Sequence, residues 1–100
     1  MTKSLPPVHP GEVLKEEFMM PLGLSANALA RAIRVPPNRI SAIVNADRGI
    51  TADTALRLAK ALGTTPDFWL TLQQRYDLDC ARDQTKDLAR IEPIRVRASG

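Results

Sequence analysis

One hundred residues with 44% hydrophobic side chains are enough for a single domain around one modest core. The net charge is only +3, the lone cysteine, Cys80, excludes an internal disulfide, and one cysteine with one histidine cannot build a four-ligand zinc site. The opening MTKSLPPVHP lacks the apolar run of a secretory signal and no stretch approaches about 18 apolar residues, so a soluble chain of the reducing cytoplasm, without a membrane partner, is expected.

Abundant Ala and Leu beside only four aromatics (Phe18, Phe68, Trp69 and Tyr76) predict an all-α fold. Pro6, Pro7 and Pro10 make residues 1–9 an extended arm. A first helix is expected from Pro10, because proline is tolerated at a first helical position. Leu14, Phe18 and Leu22, with Val13 beside them, give it one apolar stripe, and Pro21 and Gly23 end it. Ser25 caps a second helix, Leu24 staples onto Leu29, and Leu29, Ala30 and Ile33 form the inner face. Pro36-Pro37 breaks any continuous helix, yet Pro37 suits the start of a third that runs to about Asn45. Two short helices so closely spaced form a helix-turn-helix, here around residues 25–46.

Thr51 caps a fourth helix whose core face is Ala55, Leu56, Ala59 and Leu62 and whose closing residue is Gly63. Thr65 caps a fifth, opened by Pro66, with Phe68, Trp69, Leu72 and Tyr76 at helical spacing. A compact five-helix domain is thus expected over residues 10–78. Residues 79–100 read as a polar C-terminal extension, a helix plus a short strand or loose tail in IEPIRV.

The charge is unevenly spread. Residues 1–24 carry two Lys against three Glu; residues 61–100 balance six basic groups with six acidic ones. Residues 25–60 set Arg31, Arg34, Arg39, Arg48, Arg57 and Lys60 against Asp47 and Asp53, a local excess of +4. Such an excess suits a face that meets phosphates, although a solvated basic face looks the same on charge alone.

The third helix carries the sharper signal. Ile40, Ile43 and Val44 fall on one side; Asn38, Ser41, Ala42 and Asn45 share the other. An ordinary solvated face carries Glu and Lys in i,i+4 pairs, and this one carries neither. Short polar and methyl groups can approach base edges: Asn bonds adenine bidentately, Ser donates or accepts, and Ala meets the thymine methyl. Arg39 flanks this face and can reach guanine or phosphate, while Arg31, Arg34 and Arg48 are placed to hold the backbone on either side. A polar surface helix of a plain bundle is the competing explanation.

Here the sequence resembles a known family. The run Ser25 to Asn45, with Leu29-Ala30, Ile33, Ile40 and Ile43, is similar to the phage-repressor (XRE-type) helix-turn-helix. HPGEVLKEEFMMPLGLS (9–25), RVPPNRISAIVN (34–45) and RGITADTALRLAKALGTTPDFWLTLQQRYDL (48–78) resemble antitoxins of the HigA type, over roughly residues 8–80. The resemblance implies a phage-repressor-like five-helix domain, a homodimer, a palindromic double-stranded operator upstream of the chain's own gene, and neutralisation of a HigB-type mRNA-cleaving toxin. It also implies that Pro37, Asn38, Arg39, Ser41, Ala42 and Asn45 read the groove. Two positions depart from the pattern: Arg34 and Ala46 stand where glycine is usual, and Arg34 must then adopt a left-handed conformation costing about 1 kcal/mol.

Other residues tempt a different chemistry. His9 is the only histidine and is expected to cap the first helix. Glu12, Glu16 and Glu17 read as a solvated helix start, with a patch facing a basic toxin as the functional alternative. Phe68 and Trp69 are expected in the core and dimer interface rather than as a base-stacking platform, and Trp69, Leu72 and Tyr76 are the expected interface residues, extended by Ile94-Arg95-Val96. Cys80 reads as an inert apolar residue. No cofactor is expected, and a nuclease is disfavoured because one His in a proline arm and scattered Asp residues supply no acid–base pair or metal site. An orphan regulator without a toxin, or a toxin inhibitor with vestigial DNA binding, are the alternatives to an antitoxin repressor.

Overall fold

The computed structural model describes residues 6–95, and these form five helices. Helix α1 spans 10–22, α2 Ala26–Ile33, α3 Pro37–Val44, α4 Ala52–Leu62 and α5 Pro66–Gln84; a 3₁₀ turn, Leu88–Arg90, follows. Four helices start on a side-chain cap. His9 Nδ1 accepts from Gly11 N–H at 2.9 Å, and Ser25, Thr51 and Thr65 accept from the third residue onward at 3.0, 3.3 and 3.1 Å. Helices α1, α2 and α4 close on left-handed residues, Gly23, Arg34 and Gly63, and α3 closes one residue past its C-cap on left-handed Ala46. Arg34 thus takes the left-handed conformation that its place in the turn demanded.

Helix α1 differs from its expected form. It is α-helical over Pro10–Val13, π-helical over Leu14–Met19 and α-helical again over Met20–Leu22. A π turn bonds each residue to the fifth before it, so the inward face moves from a spacing of four to one of five. Leu14 and Met19 are buried, and Leu22, expected inside, is 60% exposed. Pro21 explains the widening, because its ring would crowd the carbonyl one α-turn earlier and it has no N–H to donate.

The core gathers Leu14, Met19, Leu29, Ala30, Ile33, Ile40, Ile43, Ile50, Ala55, Leu58 and Trp69. Helix α2 packs on α3 and α4, α4 on α5, and α1 bridges α3 and α5. At Gly11 the approach of α1 to α3 is so close that a Cβ would lie 2.7 Å from the carbonyl carbon of Ile43 and 3.0 Å from Val44 Cα. Helix α4 is rotated from its expected face: Thr54, Ala55, Leu58 and Ala59 point inward, while Leu56 is 60% exposed.

Trp69 requires a correction. It is wholly buried, donates from Nε1 to Thr64 Oγ1 at 2.7 Å, and meets Phe68 edge-on at 4.9 Å and Phe18 at 5.3 Å. With no surface left it belongs to the core that joins α1 to α5, not to an interface between copies. Leu72 packs against the same core, and Tyr76 sets its ring edge-on to His9 at 4.8 Å. Helix α5 runs past residue 78 to Gln84, and every residue from Ala81 to Arg95 is exposed. Ile94 and Arg95 have irregular backbone rather than the expected strand, and Val96 lies outside the described residues.

Candidate nucleic-acid interface

Helix α3 sits on the core through Ile40 and Ile43, both fully buried. Its opposite side presents Pro37, Asn38, Ser41 and Asn45 to solvent, with Ala42 half-buried between them. The expected face is therefore assembled on one side of one helix. Among the described residues the side chains of Asn38, Ser41 and Asn45 bond to no other protein group, so their donors and acceptors face outward unspent.

The N-terminal end of α3 differs from those of its neighbours. Pro36 stands at its N-cap and offers no capping side chain, and Pro37 has no N–H at all. The first turn closes with Arg39 N–H donating to the Pro36 carbonyl at 3.0 Å. An N-terminus without an internal cap leaves positive helix-end potential facing outward. At the other end, Ala46 N–H donates to the Ile43 carbonyl at 3.1 Å and Asp47 N–H to the Ala42 carbonyl at 2.8 Å. This is a Schellman closure with alanine, φ 65°, in the position that favours glycine. The loop after it is held by Gln73 on α5, whose Oε1 accepts from Ile50 N–H at 2.7 Å while its Nε2 donates to Asp77 at 2.9 Å.

The basic residues divide into two sets. Arg31, Arg34 and Arg48 are exposed and pair with no carboxylate among the described residues. Arg39, expected to reach a guanine or phosphate, is instead engaged inside the protein: its Nη1 lies 3.2 Å from Asp53 Oδ2 and its side chain is only 22% exposed. Arg57 donates from Nε to the same oxygen at 3.0 Å, and from Nη1 to the carbonyls of Ile33 and Arg34 at 2.9 and 3.4 Å. The hydrogen bond from Arg57 is the largest influence on the Asp53 carboxyl; burial opposes it, and the charges of Arg57 and Arg39 with the Arg39 hydrogen bond add to it, so the carboxyl is held below its ordinary range.

Sequence reasoning counted Asp53 and Arg57 only as charges and passed over Gln73. The i,i+4 spacing of Asp53 and Arg57 was a readable signal, whereas the links to Arg39, Ile33 and the loop join elements far apart in sequence. Among the described residues no three His, Cys, Asp or Glu side chains gather where they could hold a metal ion, and no helix is long and apolar enough to cross a membrane.

Comparison with known proteins agrees with this architecture. A family model described as helix-turn-helix matches residues 14–69. Virulence-associated protein I of Dichelobacter nodosus is 48% identical over 94 residues, covering 94% of this chain and 87% of the relative. Antitoxin HigA-1 of Vibrio cholerae is 42% identical over 91 residues, covering 90% and 86%. A solved structure of Pseudomonas aeruginosa antitoxin HigA with the higBA promoter superposes with a TM-score of 0.82 at 41% identity, over 89% of this chain and 99% of that one. This chain belongs to the XRE-type helix-turn-helix family that includes the HigA antitoxins.

Proposed function

We propose that this chain is a non-enzymatic, cytoplasmic transcriptional repressor that binds a palindromic operator upstream of its own gene as a homodimer, and that it is the antitoxin of a HigB-type mRNA-cleaving toxin. The observation that carries the reading is the outward face of α3, small, polar, uncharged and unspent, on a helix whose N-terminus has no internal cap. The likeness to a HigA solved with its promoter supports the same reading. Asn38, Ser41, Ala42 and Asn45 meet base edges, Pro37 lets the helix start approach the groove, and Arg34 and Arg48 contact phosphates on either side. Two such faces on a two-fold dimer read half-sites about 34 Å apart.

The test compares two substitutions on the same helix. Asn38→Ala removes a bidentate base contact and is expected to weaken operator binding by about 1–3 kcal/mol. Its melting temperature stays at or above that of the parent, since an exposed Asn-to-Ala change favours a helix. Ile40→Ala empties a fully buried site, is expected to cost about 2–5 kcal/mol of stability, and loses binding only through unfolding. Equal operator affinity of Asn38→Ala and the parent in a titration at fixed salt would remove α3 as the reading element.

A further inference from the structure

One carboxylate oxygen organises the basic centre of the chain. Asp53 Oδ2 accepts from Arg39 on α3 and from Arg57 on α4, and Arg57 continues to the last carbonyls of α2. The two helices of the helix-turn-helix are thereby tied to each other through the first turn of α4. As a contribution to stability this is modest, because the Asp53 side chain is 57% exposed and exposed ion pairs are screened. The arrangement even leaves Arg39 Nε buried without a partner. Its larger effect is on charge. Arg39 lies in the first turn of the helix proposed to enter the groove, where an untethered guanidinium would grip any phosphate whatever the sequence. Affinity for arbitrary DNA grows with the number of phosphates neutralised, whereas selection of an operator depends on the ratio of specific to arbitrary binding.

We infer that Asp53 is a positioning residue that sets DNA specificity: it withholds Arg39 and Arg57 from indiscriminate phosphate contact and fixes α3 against α2, so that the groove face chooses the site. The inference rests on the proposed DNA-binding function. It assigns a role in discrimination to a residue that touches no base.

The test uses the full chain, a duplex carrying the region upstream of its gene, and a scrambled duplex of equal length, each titrated over a range of salt. For Asp53→Asn, scrambled-DNA binding is expected to tighten and its log–log salt slope to steepen by about 0.9 for each arginine released. The ratio of operator to scrambled affinity should fall by about fivefold, the smallest effect usual for one mismatched base pair. Asp53→Glu, which keeps the carboxylate, should recover most of that ratio. Arg39→Gln gives an independent reading that needs no change at Asp53. If Arg39 is withheld in the parent, this variant leaves the scrambled-DNA slope unchanged; a slope reduced by about 0.9 shows that Arg39 already binds phosphate and overturns the inference. An Asp53→Asn protein that melts as a folded domain yet keeps the parental slope and ratio also overturns it. A parent without preference for the operator duplex overturns the proposed function, and this inference with it. Where the parent does prefer its operator, the Asp53 and Arg39 variants decide the role of Asp53 by themselves.

Discussion

His9 sits where a single proton disturbs the start of the fold. Its Nδ1 accepts from Gly11 N–H, which requires that nitrogen to be unprotonated, and its ring packs against Tyr76. Burial pushes its pKa below the ordinary 6.5, with Asp77 opposing. A folded-state pKa below the unfolded one means that the unfolded chain binds more protons, so this contribution is complete above 6.5 and is lost as pH falls through the folded value. Chemical denaturation should therefore show stability declining on acidification from about pH 7. His9→Asn, which keeps a capping acceptor but cannot titrate, is expected to flatten that decline. An unchanged pH profile in His9→Asn would exclude His9 as its source. Asp53 acts at lower pH by the same rule, since its depressed pKa stabilises the fold above the ordinary carboxylate range and that contribution goes as the pH drops through the folded value.

Helix starts were the most legible elements in the sequence, because a capping side chain and a proline at the first position act locally. Ser25, Thr51 and Thr65 cap where expected, and α3 and α5 open on Pro37 and Pro66. Inner faces were less legible. A spacing of four is right only while the helix stays α-helical, and the π segment of α1 exchanged Leu22 for Met19. In α4 both Leu56 and Leu58 are apolar, and only packing on α2 and α5 decides which is buried. The outward polar face of α3 was legible because its residue types follow helical spacing opposite Ile40 and Ile43; the Asp53 tie was not, because it depends on three helices meeting. The strain at Ala46 yields a prediction at this scale. Ala46→Gly relieves a left-handed alanine at about 1–2 kcal/mol and adds unfolded-chain entropy worth about 0.5–1 kcal/mol. The net gain should raise the melting temperature by a few degrees, about 4 °C for a domain of this size, with operator affinity unchanged. A melting temperature that falls would mean that the methyl group contributes packing that outweighs the strain.

The molecule as a whole is longer than a compact domain. Its radius of gyration is 17.7 Å and its longest extent 56 Å, against about 13 Å for the radius of a compact 100-residue chain. The outer half of α5 and the segment beyond it leave Leu78, Leu88, Ile91 and Ile94 exposed. With Trp69 buried, the apolar surface open to a second copy includes this outlying part, beside Met20 and Leu22 on α1 and Leu56 on α4. Sedimentation at micromolar concentration is expected to give a dimer of the 11.0 kDa chain, and Leu78→Glu to shift it toward monomer. A dimer indifferent to Leu78→Glu would move the interface elsewhere. The outward side chains of α3, meanwhile, carry none of the bonds that hold the domain: those of Asn38, Ser41 and Asn45 bond to no other described residue, while buried Ile40 and Ile43 and the Schellman closure do the holding. On the proposed function, recognition and folding are thus written in separate residues of one short helix. Copies of such a gene can diverge at positions 38, 41, 42 and 45 and acquire operators that no longer cross-react, while the scaffold that displays them remains the same.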